Sequence, residues 1–172
     1  MSFREFFDAI ESRALRDVAQ HWDEARGNCL MPGWKDLKPA RIKLHLPIIW
    51  SWKFDASSDH FVGRIAGEKI QSAFGLNIRG AEMSAVFRGR DFEHMFVRHK
   101  RIVTEPAFFV GKGLVFRHLE RFDIGERIIM PLADDGSAAD GIVGATEFRS
   151  QNELSARDFI QKGESENWFT LA

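Results

Sequence analysis

Two groups of strand-like segments separated by helices predict an α+β fold. The expected architecture is one antiparallel sheet with helices packed across one face and an amphipathic helix in front. Three observations carry this. Trp50, Trp52 and Phe54 alternate with Ser51 and Lys53, and a second apolar alternation runs from His60 to Ala66 behind the polar turn Asp55–Asp59. Further strand patterns lie at 107–119, 125–132 and 140–148, the last two joined by the turn signal Ala133-Asp134-Asp135-Gly136-Ser137. Between the two groups, Phe92, Met95, Phe96, His99, Ile102 and Val103 share one helical face from Asp91 to Thr104. Hairpins interrupted by helices do not make the alternating pattern of a parallel, doubly wound sheet.

The elements follow in order. Phe3, Phe7, Ile10, Ala14, Val18 and Trp22 predict a single helix over 3–26, with Phe6 and Ala25 widening the stripe. Ser2 with Glu5 is its capping signal and Gly27-Asn28 its stop. Arg4, Asp8, Glu11, Arg16 and Glu24 form the opposite face, so the apolar stripe needs cover, from its own domain or from a twin helix in a homodimer. Pro32, Gly33, Pro39 and Pro47 make 31–47 an irregular connector. Gly67 to Arg90, broken by Gly75, Gly80 and Gly89, reads as short helices and loops. Pro106 ends the long helix, because it pushes Glu105 out of helical geometry. From Arg149 the chain is polar, with a short helix after Ser155 and Trp168 and Phe169 near its end. The resulting division is a helix over 1–30, a main domain over 31–150 and a tail over 151–172.

The composition narrows the function classes. The chain has 172 residues, 16 Phe, 5 Trp and no Tyr, so its rings lack a phenolic handle and suit a core or a cavity wall. A net charge of −1 argues against binding nucleic acid by phosphate neutralisation and against a polybasic attachment to anionic membrane. The single cysteine, Cys29, permits neither an internal disulfide nor a cysteine zinc cluster, which suits a reducing, cytoplasmic setting. No apolar run approaches the ~20 residues that span a bilayer, and Met1-Ser2-Phe3-Arg4-Glu5 does not resemble a secretory leader.

Several motifs in sequence order resemble a PAS domain, specifically the PAS-like family of small single-domain alphaproteobacterial proteins. They are the proline-rich lead-in at Met31-Pro32, Asp36 and Pro39; Leu46-Pro47 before the first strand; Phe61-x-x-Arg64-x-Ala66-Gly67; Phe74-Gly75 and Gly80; Pro106 after the long helix; and Pro131-Leu132 with Asp135-Gly136 at the final hairpin. The resemblance spans about residues 15–148. Gly33-Trp34-Lys35 departs from it, standing where the family pattern has a small residue and an arginine. The resemblance implies a five-stranded antiparallel sheet cupping a pocket under the helices, ligand sensing, dimerisation and signalling to a partner protein. It names no ligand, because this fold hosts many or none.

Candidate site residues follow from these readings. Trp50, Trp52, Phe54, Phe96, Phe108, Phe116 and Met130 either line a pocket or form ordinary core. Arg64 either clamps an anion from inside or serves as a surface charge, paired for example with Glu68. His99 lies on the apolar face of the long helix. Haem-binding PAS domains place their axial histidine on that helix, so the resemblance admits a haem on His99; the plainer reading is a histidine hydrogen-bonded to a carbonyl or an acid. His45, His94 and His118 show no metal-ligand spacing. Gly111-Lys112-Gly113 precedes more strand rather than a helix, so it is no phosphate loop. Three functions remain: a sensory domain signalling through protein contacts, an interaction module with a filled core, and a small cup-shaped enzyme relying on His99 or His118.

Overall fold

The structure, a computed structural model, describes residues 2–118 and 121–171. Its centre is a six-stranded antiparallel sheet in the order β2-β1-β5-β4-β3-β6. The strands are β1 (Ile49–Asp55), β2 (His60–Ala66), β3 (Ala107–His118), β4 (Arg121–Leu132), β5 (Gly141–Gln151) and β6 (Glu164–Thr170). The helices are α1 (Ser2–Ala9), α2 (Arg13–Arg26), α3 (Glu68–Phe74), α4 (Met83–Val86), α5 (Gly89–Thr104) and α6 (Glu153–Lys162). The connector over 31–47 folds into 3-10 turns at Trp34–Asp36 and Pro39–Ile48. Leu119, the expected end of one strand, and the side chains of Ser2 and His118 lie outside the described residues.

The α+β class and the antiparallel sheet are as the sequence predicts, with three differences. The N-terminal stretch is two helices rather than one. The carboxylate of Glu126 on β4 accepts the backbone N–H groups of Glu11 (2.9 Å) and Ser12 (2.7 Å). Ser12 then caps α2 by accepting from the Leu15 N–H, and its hydroxyl donates to Glu147. The break rotates the buried stripe, so that Phe6, Ile10, Leu15, Val18 and Trp22 are buried while Phe7 and Ala14 are only partly covered.

Helices also cover both faces of the sheet rather than one. On one face, Phe6, Ile10, Leu15 and Trp22 pack against Phe108, Met130 and Val143. Rings reinforce this layer: Phe6 stacks on Phe108 at 4.6 Å and Trp22 meets Phe108 edge-on at 5.0 Å. The Trp22 indole N–H donates to the Pro131 carbonyl at 2.8 Å. The apolar stripe of residues 3–26 is therefore covered in cis. On the other face, α3, α4 and α5 cover Trp50, Trp52, Phe61, Phe109 and Ile129. Trp50 sinks onto the sheet over Gly144, where any Cβ would overlap its indole, and its N–H donates to Thr146 at 2.9 Å.

Third, the polar tail supplies a sixth strand. After α6, capped by Asn152, β6 pairs with β3 in the register Phe109↔Trp168, Gly111↔Glu166 and Gly113↔Glu164. An edge strand is held by main-chain hydrogen bonds, so the run Glu-Ser-Glu-Asn lacks the apolar alternation that marks the inner strands.

Candidate functional site

Between α3, α4 and α5 on one side and β3, β4 and β6 on the other lies a cleft of about 430 Å³. Its apolar wall consists of Phe74, Val86, Phe87, Met95, Leu114 and Phe116. Phe74 closes α3, which stops at Gly75 in the left-handed conformation (φ 74°), and meets Phe87 at 5.3 Å and Phe116 at 5.4 Å edge-on. Phe116 in turn meets Phe148 at 5.1 Å. These ring pairs fix the wall's shape with edge-to-face contacts.

The inner wall is charged. Arg98 of α5 and Arg127 of β4 are 3% and 2% exposed. Glu164 of β6 lies between them, 3.1 Å from Arg98 Nη1 and 3.0 Å from Arg127 Nε. Glu166 completes the cluster at 2.9 Å from Arg98 Nη2. The same Nη2 donates to His94 Nε2 at 2.8 Å, which makes that nitrogen an acceptor. Arg127 also donates to the Val115 carbonyl and lies 5.1 Å over the Phe116 ring. Burial pushes the Arg127 guanidinium down to about 10, against the pull of Glu164, so it stays protonated at neutral pH. Gly111 makes this arrangement possible, since a Cβ there would overlap the Glu164 carboxylate.

The cluster is incompletely satisfied. Arg127 Nε is close to Glu164 Oε1 but its N–H is not aligned on it, so both atoms lack a hydrogen bond, as does Arg98 Nε. Nη1 of Arg98 and Nη1 of Arg127 also lie 3.9 Å and 3.8 Å from the sulfur of Met95, a weak acceptor. Arg88, Arg117, Asp91 and His94 stand around this wall.

Of the residues singled out in the sequence, Phe116 lines the cleft. Trp50 and Trp52 are core beneath α3 and α5. Phe96 packs on Phe61 and Phe92. Met130 belongs to the opposite face under α1 and α2, because alternation along β4 turns it away from Ile129. Phe108 shares that opposite face.

His99 is fully buried between Trp50 (5.4 Å) and Phe61 (5.9 Å). Its Nδ1–H donates to the Met95 carbonyl and its Nε2 has no partner. Burial lowers its pKa to about 3, so it is neutral. The imidazole is wedged between two rings and is not part of the cleft wall, so it does not fit an axial ligand with a porphyrin beside it. Among the described residues, no group of three or more His, Cys, Asp or Glu is placed to hold a metal ion.

Arg64 sits at an irregularity in the β1–β2 pairing. The β1–β2 register passes from Ser51↔Ile65 to Trp52↔Gly63, leaving Arg64 as the extra residue of a bulge. The bulge breaks the alternation, so Phe61 and Ala66 join one core layer and Ile65 the other. Arg64 lies over the Trp34 ring at 5.2 Å, in a second surface cleft with Lys35, Lys53 and Arg79, and not beside Glu68. Gly33-Trp34-Lys35, the departure noted in the sequence, thus supplies the ring on which Arg64 rests.

Sequence reading missed Arg98, Arg127 and Glu164. Glu164 and Glu166 are two residues apart, which on a strand puts both carboxylates on one face, but the polar tail carries no apolar alternation to mark it as a strand.

Comparisons with known proteins complete the description. A family model described as PAS domain matches residues 10–147. No curated protein matches the chain. Among solved structures, the crystal structure of a phage VqmA–DPO complex is similar at 13% identity and a TM-score of 0.39, covering 72% of this chain and 56% of that one. The chain thus spans little more than half the length of that structure, and the likeness is too slight to carry an argument. No helix among the described residues is long and apolar enough to cross a membrane.

Proposed function

The chain belongs to the PAS domain family, a family of sensory and regulatory domains, and from that membership we propose that it binds a small, partly apolar molecule in the cleft under α5 and passes the event on through protein contacts. The observation that carries this reading is the cleft itself: about 430 Å³, walled by Phe74, Phe87 and Phe116, with buried arginines at its inner end. Specific small-molecule sites have this make-up, an apolar wall with a few placed polar groups. The cleft favours this reading over an interaction module whose core is wholly filled by its own side chains.

Signal transfer has a physical route. Arg98 and Arg127 hold Glu164, so any ligand touching them acts on β6, the strand that covers the β3 edge. A ligand shifts such an equilibrium by as much as it prefers one arrangement. In this reading the protein is non-catalytic. Its cytoplasmic setting is part of the same proposal and is supported by the free cysteine Cys29. Dimerisation through residues 3–26 would use their charged outer face, because the apolar one is covered.

The test is a thermal-shift screen against a metabolite panel, run on the wild type and on Val86→Trp, which places an indole in the cleft. The expected result is a compound that raises Tm by several degrees in the wild type and not in the variant. A panel without effect, or an equal shift in both proteins, contradicts the proposal.

A further inference from the structure

We infer that the molecule taken by this cleft is an organic monocarboxylate with an apolar body, its charged end received by Arg98 and Arg127 once Met95 turns aside; the inference rests on the ligand-binding reading of the same cleft. Three observations point to this class.

The first is the pair of buried guanidiniums. Each aims an Nη1–H at the Met95 sulfur, at 3.9 and 3.8 Å, and each has an Nε without a hydrogen bond. A thioether barely compensates a buried N–H, whereas a carboxylate oxygen forms a short, charge-assisted bond with it. Methionine has three rotatable side-chain bonds and moves aside at small cost, so Met95 covers the two N–H groups as a replaceable plug.

The second is the charge balance. Among the described residues, Arg88, Arg98, Arg117 and Arg127 stand against the carboxylates of Asp91, Glu164 and Glu166, an excess of one positive charge around the cleft. One carboxylate neutralises it. A phosphate monoester would bring about −1.5 to −2 at pH 7 and overshoot, facing Glu164 and Asp91 with excess negative charge.

The third is the wall. Beyond the arginines the cleft is bounded by Phe74, Val86, Phe87, Leu114 and Phe116, which offers a dry bed to rings or a short aliphatic chain. Arg88 and Arg117 are exposed at the rim and have no carboxylate partner among the described residues, so they add attraction on approach.

The test uses isothermal calorimetry on the full chain with three acids, phenylacetate, indole-3-acetate and octanoate, each against its own amide. Acid and amide match in shape and differ in charge. At least one acid is expected to bind ten times or more tightly than its amide, and to weaken as salt rises. Arg127→Met is expected to bring the acid down to the amide's affinity. Because that change leaves Glu164 with Arg98 as its one buried partner, the double variant Arg127→Met/Glu164→Met removes one charge of each sign and leaves Arg98 paired with Glu166; it is expected to show the same loss of preference. An amide that binds as well as its acid overturns the carboxylate assignment while leaving the cleft a ligand site. An acid that binds the double variant unchanged overturns the role of Arg127. If none of the six compounds binds, the monocarboxylate class is wrong, and the thermal-shift screen decides separately whether the cleft binds anything.

Discussion

Acid should unfold this protein in part through His99. The imidazole is completely buried between Trp50 and Phe61, with Nδ1–H on the Met95 carbonyl and no partner at Nε2. Burial lowers its pKa from 6.5 to about 3. Between those values the unfolded chain takes up a proton that the folded chain refuses. The stability that depends on neutral His99 is therefore complete above pH 6.5 and is lost as pH falls toward 3. At pH 4 the unfolded state has gained roughly 2.5 pH units of proton binding, and at about 1.4 kcal/mol per unit the loss is about 3 kcal/mol. The assay is urea unfolding followed by tryptophan fluorescence at pH 7, 5.5 and 4, on the wild type and on His99→Gln and His99→Leu. The other titrating groups are common to all three proteins, so the difference between their pH slopes isolates His99. The wild type should lose about 3 kcal/mol more than either variant between pH 7 and pH 4. Equal losses would refute a buried, neutral imidazole at this position.

Three further outcomes follow from the packing. Gly144→Ala forces a methyl into the Trp50 indole and should cost about 1–3 kcal/mol, with a changed near-ultraviolet tryptophan signal; an unaltered melt contradicts the contact. Glu164→Gln leaves two buried arginines short of a charge and should cost about 3–5 kcal/mol, with amide exchange in β6 accelerated; protection of β6 equal to the wild type contradicts its being held by Arg98 and Arg127. Deleting residues 1–27 bares Phe108, Met130 and Val143 and should give insoluble or aggregated protein; a soluble, cooperatively folding truncation contradicts the cis packing of α1 and α2.

Much of the fold was legible because its signals are local. Trp50, Trp52 and Phe54 were placed on one face by alternation alone, and Ile102 and Val103 on the buried side of α5 by helical spacing. What escaped depends on partners distant in the chain. The break between α1 and α2 is made by Glu126, more than a hundred residues away, and nothing near Glu11 announces it. The phase change at Arg64 comes from a bulge, which composition does not encode. β6 escaped because an edge strand needs no apolar stripe. Of the aromatic candidates, Trp50, Trp52 and Phe108 are buried while Phe54, Phe96 and Phe116 are half-buried, and spacing alone does not tell the core from a cleft wall. Phe116 stands on the wall and Trp50 in the core, although both are aromatic residues on strands. Nothing near Arg98 or Arg127 in the sequence announces the cleft, because their partner Glu164 comes from a strand distant in the chain.

Methionine-methyl NMR tests the central claim most directly, because the methionines report on both sides of the sheet. Met95 lines the cleft, while Met31 and Met130 lie in the core layer on the opposite face. Titration with anilinonaphthalenesulfonate, an anion with an apolar ring body, should shift the Met95 methyl resonance and leave Met31 and Met130 in place. A Met95 signal that stays still under saturating dye, or a response centred on Met31 and Met130, would contradict a binding site beneath α5.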